Sequence, residues 1–144
     1  MKIRQASTSD ITAIVDLSDQ LGYPTSAEQA AIRMAEILNK PDHVVWIAEL
    51  EPGAVVGWVH VTRTTWLEID PFAEIGGLVV DAAHRCKGIG KALLDKAEAW
   101  ALENGLSSLR VRSNVIRSRA HHFYEKAGYS IIKSQYVFEK KLDD

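Results

Sequence analysis

The segment Arg85-Cys86-Lys87-Gly88-Ile89-Gly90-Lys91 gathers three cations and two glycines into seven residues. A strand-like run, Ile75-Gly76-Gly77-Leu78-Val79-Val80, precedes it. After it, Ile89, Leu93, Ala97, Trp100 and Ala101 recur at helical spacing. A strand, a short basic turn and a helix start make an anion site. The first N–H groups of a helix lack intrahelical acceptors, and the helix dipole is positive there. Glycine lets a phosphate approach the backbone closely. Two phosphate signatures fail at these residues. A Walker loop needs glycine where Arg85 stands and Ser or Thr where Ala92 stands. The dinucleotide fingerprint needs a third glycine at Leu93. The anion is therefore bound in some other way, unless the turn is merely a solvated one.

The elements that must position this turn follow from spacing and capping residues. Lys2 to Ala6 reads as a first strand, and Ser7 to Asp10 caps a helix carrying Ile11, Ile14, Val15 and Leu21. Gly22-Tyr23-Pro24 breaks it, and Thr25 with Glu28 forms a capping box for a second helix running to Asn39. His43 to Leu50 and Val55 to Thr64 read as an antiparallel pair about a turn at Glu51-Pro52-Gly53. Ala73 to Val80 is a further strand, and its Gly76-Gly77 pair suggests a bulge or a close backbone approach. Asn104-Gly105 ends the helix after the basic turn. Leu109 and Val111 alternate with Arg110 and Arg112 in a strand ending near Asn114. Ala120, Phe123, Tyr124 and Ala127 share a helical face closed by Gly128, and Tyr129–Ile132 and Tyr136–Lys141 read as two last strands. The order is β-α-α-β-β-β-α-β-α-β-β, an α/β protein with a mixed, largely antiparallel central sheet flanked by helices.

Composition bounds the function classes. The 144 residues suit a single domain, 1–144, with a core of its own. A net charge of −2 gives no reason to expect nucleic acid as a partner. No apolar run is long enough for a membrane span, and the start Met1-Lys2-Ile3-Arg4-Gln5 lacks a signal-peptide core. With its single cysteine, Cys86, the chain has no internal disulfide, which agrees with a cytoplasmic location. His121 and His122 are adjacent on a helix rather than i, i+4, so no metal is expected.

Arg85-x-x-Gly88-x-Gly90 after a Leu-Val-Val strand resembles the acyl-CoA pyrophosphate loop of the GNAT N-acetyltransferase superfamily. Ala120-x-x-Phe123-Tyr124-x-x-x-Gly128-Tyr129 is similar to that family's second motif, and the element order resembles its fold over essentially the whole chain. Cys86 departs from the pattern, since glycine or a basic residue is commoner there. The resemblance implies acetyl-CoA as co-substrate. Arg85, Cys86, Lys87, Gly88, Ile89, Gly90 and Lys91 would hold its pyrophosphate, and the backbone of Leu78, Val79 and Val80 its pantetheine arm. A bulge at Gly76-Gly77 would make room for the thioester. Asn114 would contact the pantetheine or order a water.

The resemblance further implies Tyr124 as the acid that protonates the departing thiolate. Reference pKa values near 10 for Tyr and 8.5 for a thiol make that transfer modestly uphill. Glu74 and His60 are the two candidate bases, with a water chain to solvent as the alternative. Tyr23, Trp66, Glu68 and Phe72, on the connections after the first helix and between the long strands, would line the acceptor cleft. The expected reaction is acetyl transfer to a primary amine of a small molecule by direct attack in a ternary complex. Protein lysine or N-terminal acetylation and a non-catalytic acyl-CoA sensor are the competing readings. Tyr136–Leu142 suits a homodimer interface, against which Lys140 and Lys141 guard the edge.

Overall fold

The protein, seen in a computed structural model that describes residues 1–113 and 115–143, divides into two compact units, Met1–Arg112 and Ser113–Asp144. The first holds β1 (Lys2–Gln5), α1 (Ile11–Leu21), α2 (Ala27–Leu38), β2 (His43–Glu49), β3 (Val55–Trp66), β4 (Ile69–Val80), α3 (Ile89–Glu103) and β5 (Leu109–Val111). The strands form one sheet in the order β1-β2-β3-β4-β5, antiparallel throughout except for the parallel pair β4 and β5.

Both faces of the sheet are covered, which is why Val44, Val45, Ile47 and Ala48 form a continuous apolar run instead of alternating. On one face Gly57 lies against Leu93 and Ile89 of α3; a Cβ there would come within 3.0 Å of Leu93. On the other face Trp58, Val45 and Ile47 pack with Met34 of α2 and with Ile11 and Ile14 of α1. Arg4 ties the first strand to both neighbours. Its guanidinium donates to both carboxylate oxygens of buried Asp10, at 2.9 and 2.8 Å, and to Glu49 at 3.1 Å.

Three expectations shift. The capping box belongs to Ser26 and Gln29, one residue later than Thr25 and Glu28, because Thr25 Oγ1 donates to the Tyr23 carbonyl instead. The strand expected at Ala73 begins at Ile69, and β3 runs on to Trp66, so residues 65–72 form the tip of a long hairpin rather than a connecting loop. In the second unit α4 (Ser118–Lys126) ends at Gly128, φ 97°, as its sequence foretold. The two strands expected after it are absent from the described residues. Residues 129–143 carry no regular element, and Tyr136 and Phe138 are more than nine-tenths exposed. A β-prone sequence becomes a strand only with a partner to complete its hydrogen bonds.

Candidate functional site

The basic turn grows directly out of β4. Asp81 still bonds β3, its N–H donating to the Val56 carbonyl at 2.8 Å. Ala82–His84 then make a single 3-10 turn, and Arg85 returns to extended backbone. Cys86, at φ 65°, and Gly88, at φ 79°, take the left-handed conformation that turns the chain into α3. The first helical bond of α3 runs from Ala92 N to Gly88 O, so the N–H groups of Ile89, Gly90 and Lys91 have no acceptor within the helix. Among the described residues no side chain caps this end. Arg85 and Lys87 are exposed, and among the described residues neither forms an ion pair. Lys91 does, with Asp95 one turn along its own helix. Left-handed turns, uncapped amides and two uncommitted cations together suit a diphosphate.

Beside this helix end, β4 beyond Ile75 has no strand partner on its β5 side among the described residues, which leaves an open edge. β5 pairs with Ala73–Ile75, whereas β3 pairs with β4 up to Val80. Asp81 lies opposite Val56 as a hydrogen-bonded pair, and such pairs alternate along an antiparallel ladder. Val79 and Gly77 therefore turn their amides towards β3, while Val80 and Leu78 turn theirs outwards. An extended ligand arm can add to this edge as an extra strand would. Val79, expected among the pantetheine contacts, is corrected by the same alternation, because its N–H and C=O are committed to β3.

The bulge lies where the glycine pair foretold. His60 opposes Gly77 and Val61 opposes Ile75, leaving Gly76 as the extra residue. Both glycines also lie under side chains of β3. A Cβ on Gly77 would come within 2.6 Å of the Trp58 ring, and one on Gly76 within 3.0 Å of His60 Nδ1. The Trp58 indole N–H is buried without a partner among the described residues.

A sequence model described as the acetyltransferase (GNAT) family matches residues 11–129, which contain the uncapped helix, the open edge and the bulge. The chain belongs to the GNAT acetyltransferase family. Its sequence is 32% identical over 109 residues to mycothiol acetyltransferase of Propionibacterium freudenreichii; that match covers 76% of this chain but spans 34% of the relative's length. It is 30% identical to aminoalkylphosphonate N-acetyltransferase of Salmonella typhimurium, over 98% of this chain and 91% of that one. In fold it matches the crystal structure of aminoglycoside antibiotic 6'-N-acetyltransferase AAC(6')-Ig of Acinetobacter haemolyticus, with a TM-score of 0.86 at 20% identity over 99% of this chain and all of that one.

Within this GNAT chain the two candidate bases occupy unequal settings. His60 is part-buried, and its Nε2 lies 2.9 Å from Nδ1 of His43, with the rings stacked at 5.2 Å. Burial, reinforced by His43, pushes the His60 pKa down to about 4. A base that weak deprotonates an ammonium poorly, which counts against the expected role. Glu74 sits on β4 two residues before the bulge and pairs with Arg112, Oε2 to Nε at 3.3 Å. In the second unit, the part-buried Tyr124 ring meets Phe123 and Tyr129 edge-on, at 5.1 and 5.9 Å. Burial raises its pKa against the opposing charge of Arg117, so the phenol stays protonated at neutral pH. Asn114 lies outside the described residues.

The expected acceptor residues divide. Tyr23 is 70% exposed on the α1–α2 connection. Phe72 is corrected: it is 1% exposed, with the Arg110 guanidinium 4.3 Å above its ring and Trp66 edge-on at 5.4 Å, so it belongs to the core. Trp66 is held in that stack at the hairpin tip, and Glu68 lies in the turn itself. A cleft opens between α1 and the connection where the acceptor wall was expected, lined by residues 24–26 and by Asp16, Asp19 and Gln20 of α1, which sequence reasoning had not named. The i, i+3, i+4 spacing of Asp16, Asp19 and Gln20 was its available signal.

Proposed function

We propose that this chain transfers the acetyl group of acetyl-CoA to a primary amine of a small molecule. The observation that carries the reading is the uncapped, basic start of α3 beside the open edge of β4. The amides of residues 89–91, with Arg85 and Lys87, would hold the pyrophosphate, and the outward amides of Val80 and Leu78 the arm that leads to the thioester. The Leu78 N–H would face the carbonyl oxygen as negative charge develops on it. The amine attacks the carbonyl carbon directly, forming the new C–N bond as the C–S bond breaks.

Two proton transfers accompany this step. The incoming amine must lose a proton, which Glu74, two residues before the bulge, or a water chain to solvent would take; His60, engaged with His43 and pushed down to about 4, has no advantage over a carboxylate. The departing thiolate must gain one or be stabilised, a role assigned to Tyr124 through the Ala120–Tyr129 motif. Because burial makes this phenol a weaker acid, hydrogen bonding to the thiolate is the larger part of that role. Asp16 and Asp19 favour a cationic acceptor entering along α1. Release of free CoA from acetyl-CoA across a panel of polyamines, aminoglycosides, aminoalkylphosphonates, amino acids and peptides tests the reading. Turnover on a small amine supports it, turnover on peptides alone replaces it with protein acetylation, and binding without turnover replaces it with a sensor.

A further inference from the structure

Gln20, near the end of α1, makes a reciprocal pair of hydrogen bonds to residues distant in sequence. Its Nε2 donates to Asp81 Oδ1 at 2.8 Å, and its Oε1 accepts from the Ala82 N–H, also at 2.8 Å. The two partners fix the amide's orientation, since a carboxylate only accepts and a backbone N–H only donates. Asp81 is held further by its own neighbours. Its second carboxylate oxygen lies 2.7 Å from His84 Nδ1, its carbonyl accepts from the His84 N–H at 2.9 Å, and its N–H bonds Val56. Gln20, with His84 second, holds the Asp81 carboxyl below the usual carboxylate range. The turn at Asp81–His84 is thus gripped from β3, from α1 and from within. The residues that follow are Arg85, left-handed Cys86 and left-handed Gly88, whose path decides where the uncapped amides of α3 point.

We infer that Gln20 is a positioning residue for the acyl-CoA loop, clamping the turn at Asp81–His84 from the helix that lines the acidic cleft. The inference rests on the reading of residues 85–91 as that loop. A loop held in its binding geometry loses less freedom when the ligand arrives, so the clamp strengthens donor binding without touching the donor. It also joins the two sides of the site, since Gln20 lines the cleft beside Asp16 and Asp19. Only an amide satisfies both partners. A glutamate at position 20 would set its carboxylate against Asp81.

Calorimetric titration of the full chain with acetyl-CoA tests this. Gln20→Ala should weaken binding roughly tenfold, a fraction of the worth of its two hydrogen bonds, because their loss loosens the free loop more than the bound one. Gln20→Glu should weaken it at least as much. The double variant Gln20→Glu/Asp81→Asn should recover most of the loss, because an asparagine at position 81 can donate to the new carboxylate. Amide exchange at residues 82–91 should quicken in Gln20→Ala and slow again in the double variant. A purely structural role would lower the melting temperature of Gln20→Ala without the charge-swap rescue of affinity. Equal affinity of wild type and Gln20→Ala, or no rescue, overturns the clamp. Failure of the wild type itself to bind acetyl-CoA overturns the acyl-CoA reading with it, and the exchange data then report separately on whether Gln20 holds the turn.

Discussion

The starts of α2 and α3 are the same kind of object finished in opposite ways. At α2, Ser26 Oγ accepts from the Gln29 N–H and Gln29 Oε1 accepts from the Ser26 N–H, both at 3.1 Å, with Glu28 in the first turn. Side chains of the helix itself satisfy the orphan amides, and a carboxylate answers the dipole. At α3 a glycine stands at the cap position, no side chain among the described residues bonds the amides, and the first turn carries no acidic residue. Arg85 and Lys87 add positive charge where α2 has negative. The α2 end is complete without a ligand, whereas the α3 end is the one we propose an anion completes.

Closing the open end should produce the largest effect. Gly88→Asp places a capping carboxylate at α3, and Asp tolerates the left-handed conformation better than most residues. Acetyl-CoA affinity should fall about a hundredfold by calorimetry, as repulsion and self-capping combine. Affinity within a fewfold of wild type would mean that the amides of α3 do not hold the pyrophosphate.

Acid should blur the contrast by a route independent of either helix end. The folded pKa of His60, about 4, lies below its ordinary 6.5, so between those values the folded chain binds fewer protons than the unfolded one. Stability is complete above pH 6.5 and is lost as pH falls through that window, by about 3 kcal/mol in all. Urea unfolding of His60→Gln should show a flatter dependence over the same range, so the helix ends are best compared above pH 6.5.

Opening the closed end should cost stability alone. Ser26→Ala should lower the unfolding free energy by about 1 kcal/mol while acetyl-CoA affinity stays unchanged. A parallel loss of affinity would erase the distinction between a structural end and a binding end. The smallest effect belongs to Cys86, the one non-glycine with positive φ among the described residues. Cys86→Gly should relieve the left-handed strain and raise stability by about 0.5–1 kcal/mol, less than the strain itself because glycine is freer when unfolded. Acetyl-CoA binding should persist.

Legibility from sequence followed locality. The Arg85–Lys91 turn could be read because its glycines, cations and helix start are consecutive. The Gly76 bulge could be read because a glycine pair in a strand has few other uses. The hairpin tip misled because Asp70-Pro71 resembles a turn. Pro71 precedes the stretch of β4 that β5 covers, so its missing N–H breaks no bond to β5. Phe72 looked like a loop aromatic for the same reason and proved to be core. The last two strands were read from β-propensity, which counts side chains and not partners, and residues 129–143 carry no regular element.

By itself the sequence determined the basic turn that leads into α3, the presence of the helices and the presence of the strands up to β5. All of these depend on residues within a few positions of one another. The tertiary structure alone decided which amides of β4 face an open edge, that His60 shares a hydrogen bond with His43, and that Gln20 grips a turn 61 residues away. Such features arise when strands and helices from distant parts of the chain are brought side by side. Hydrogen bonding and desolvation act over a few ångströms of space, whatever the distance along the chain.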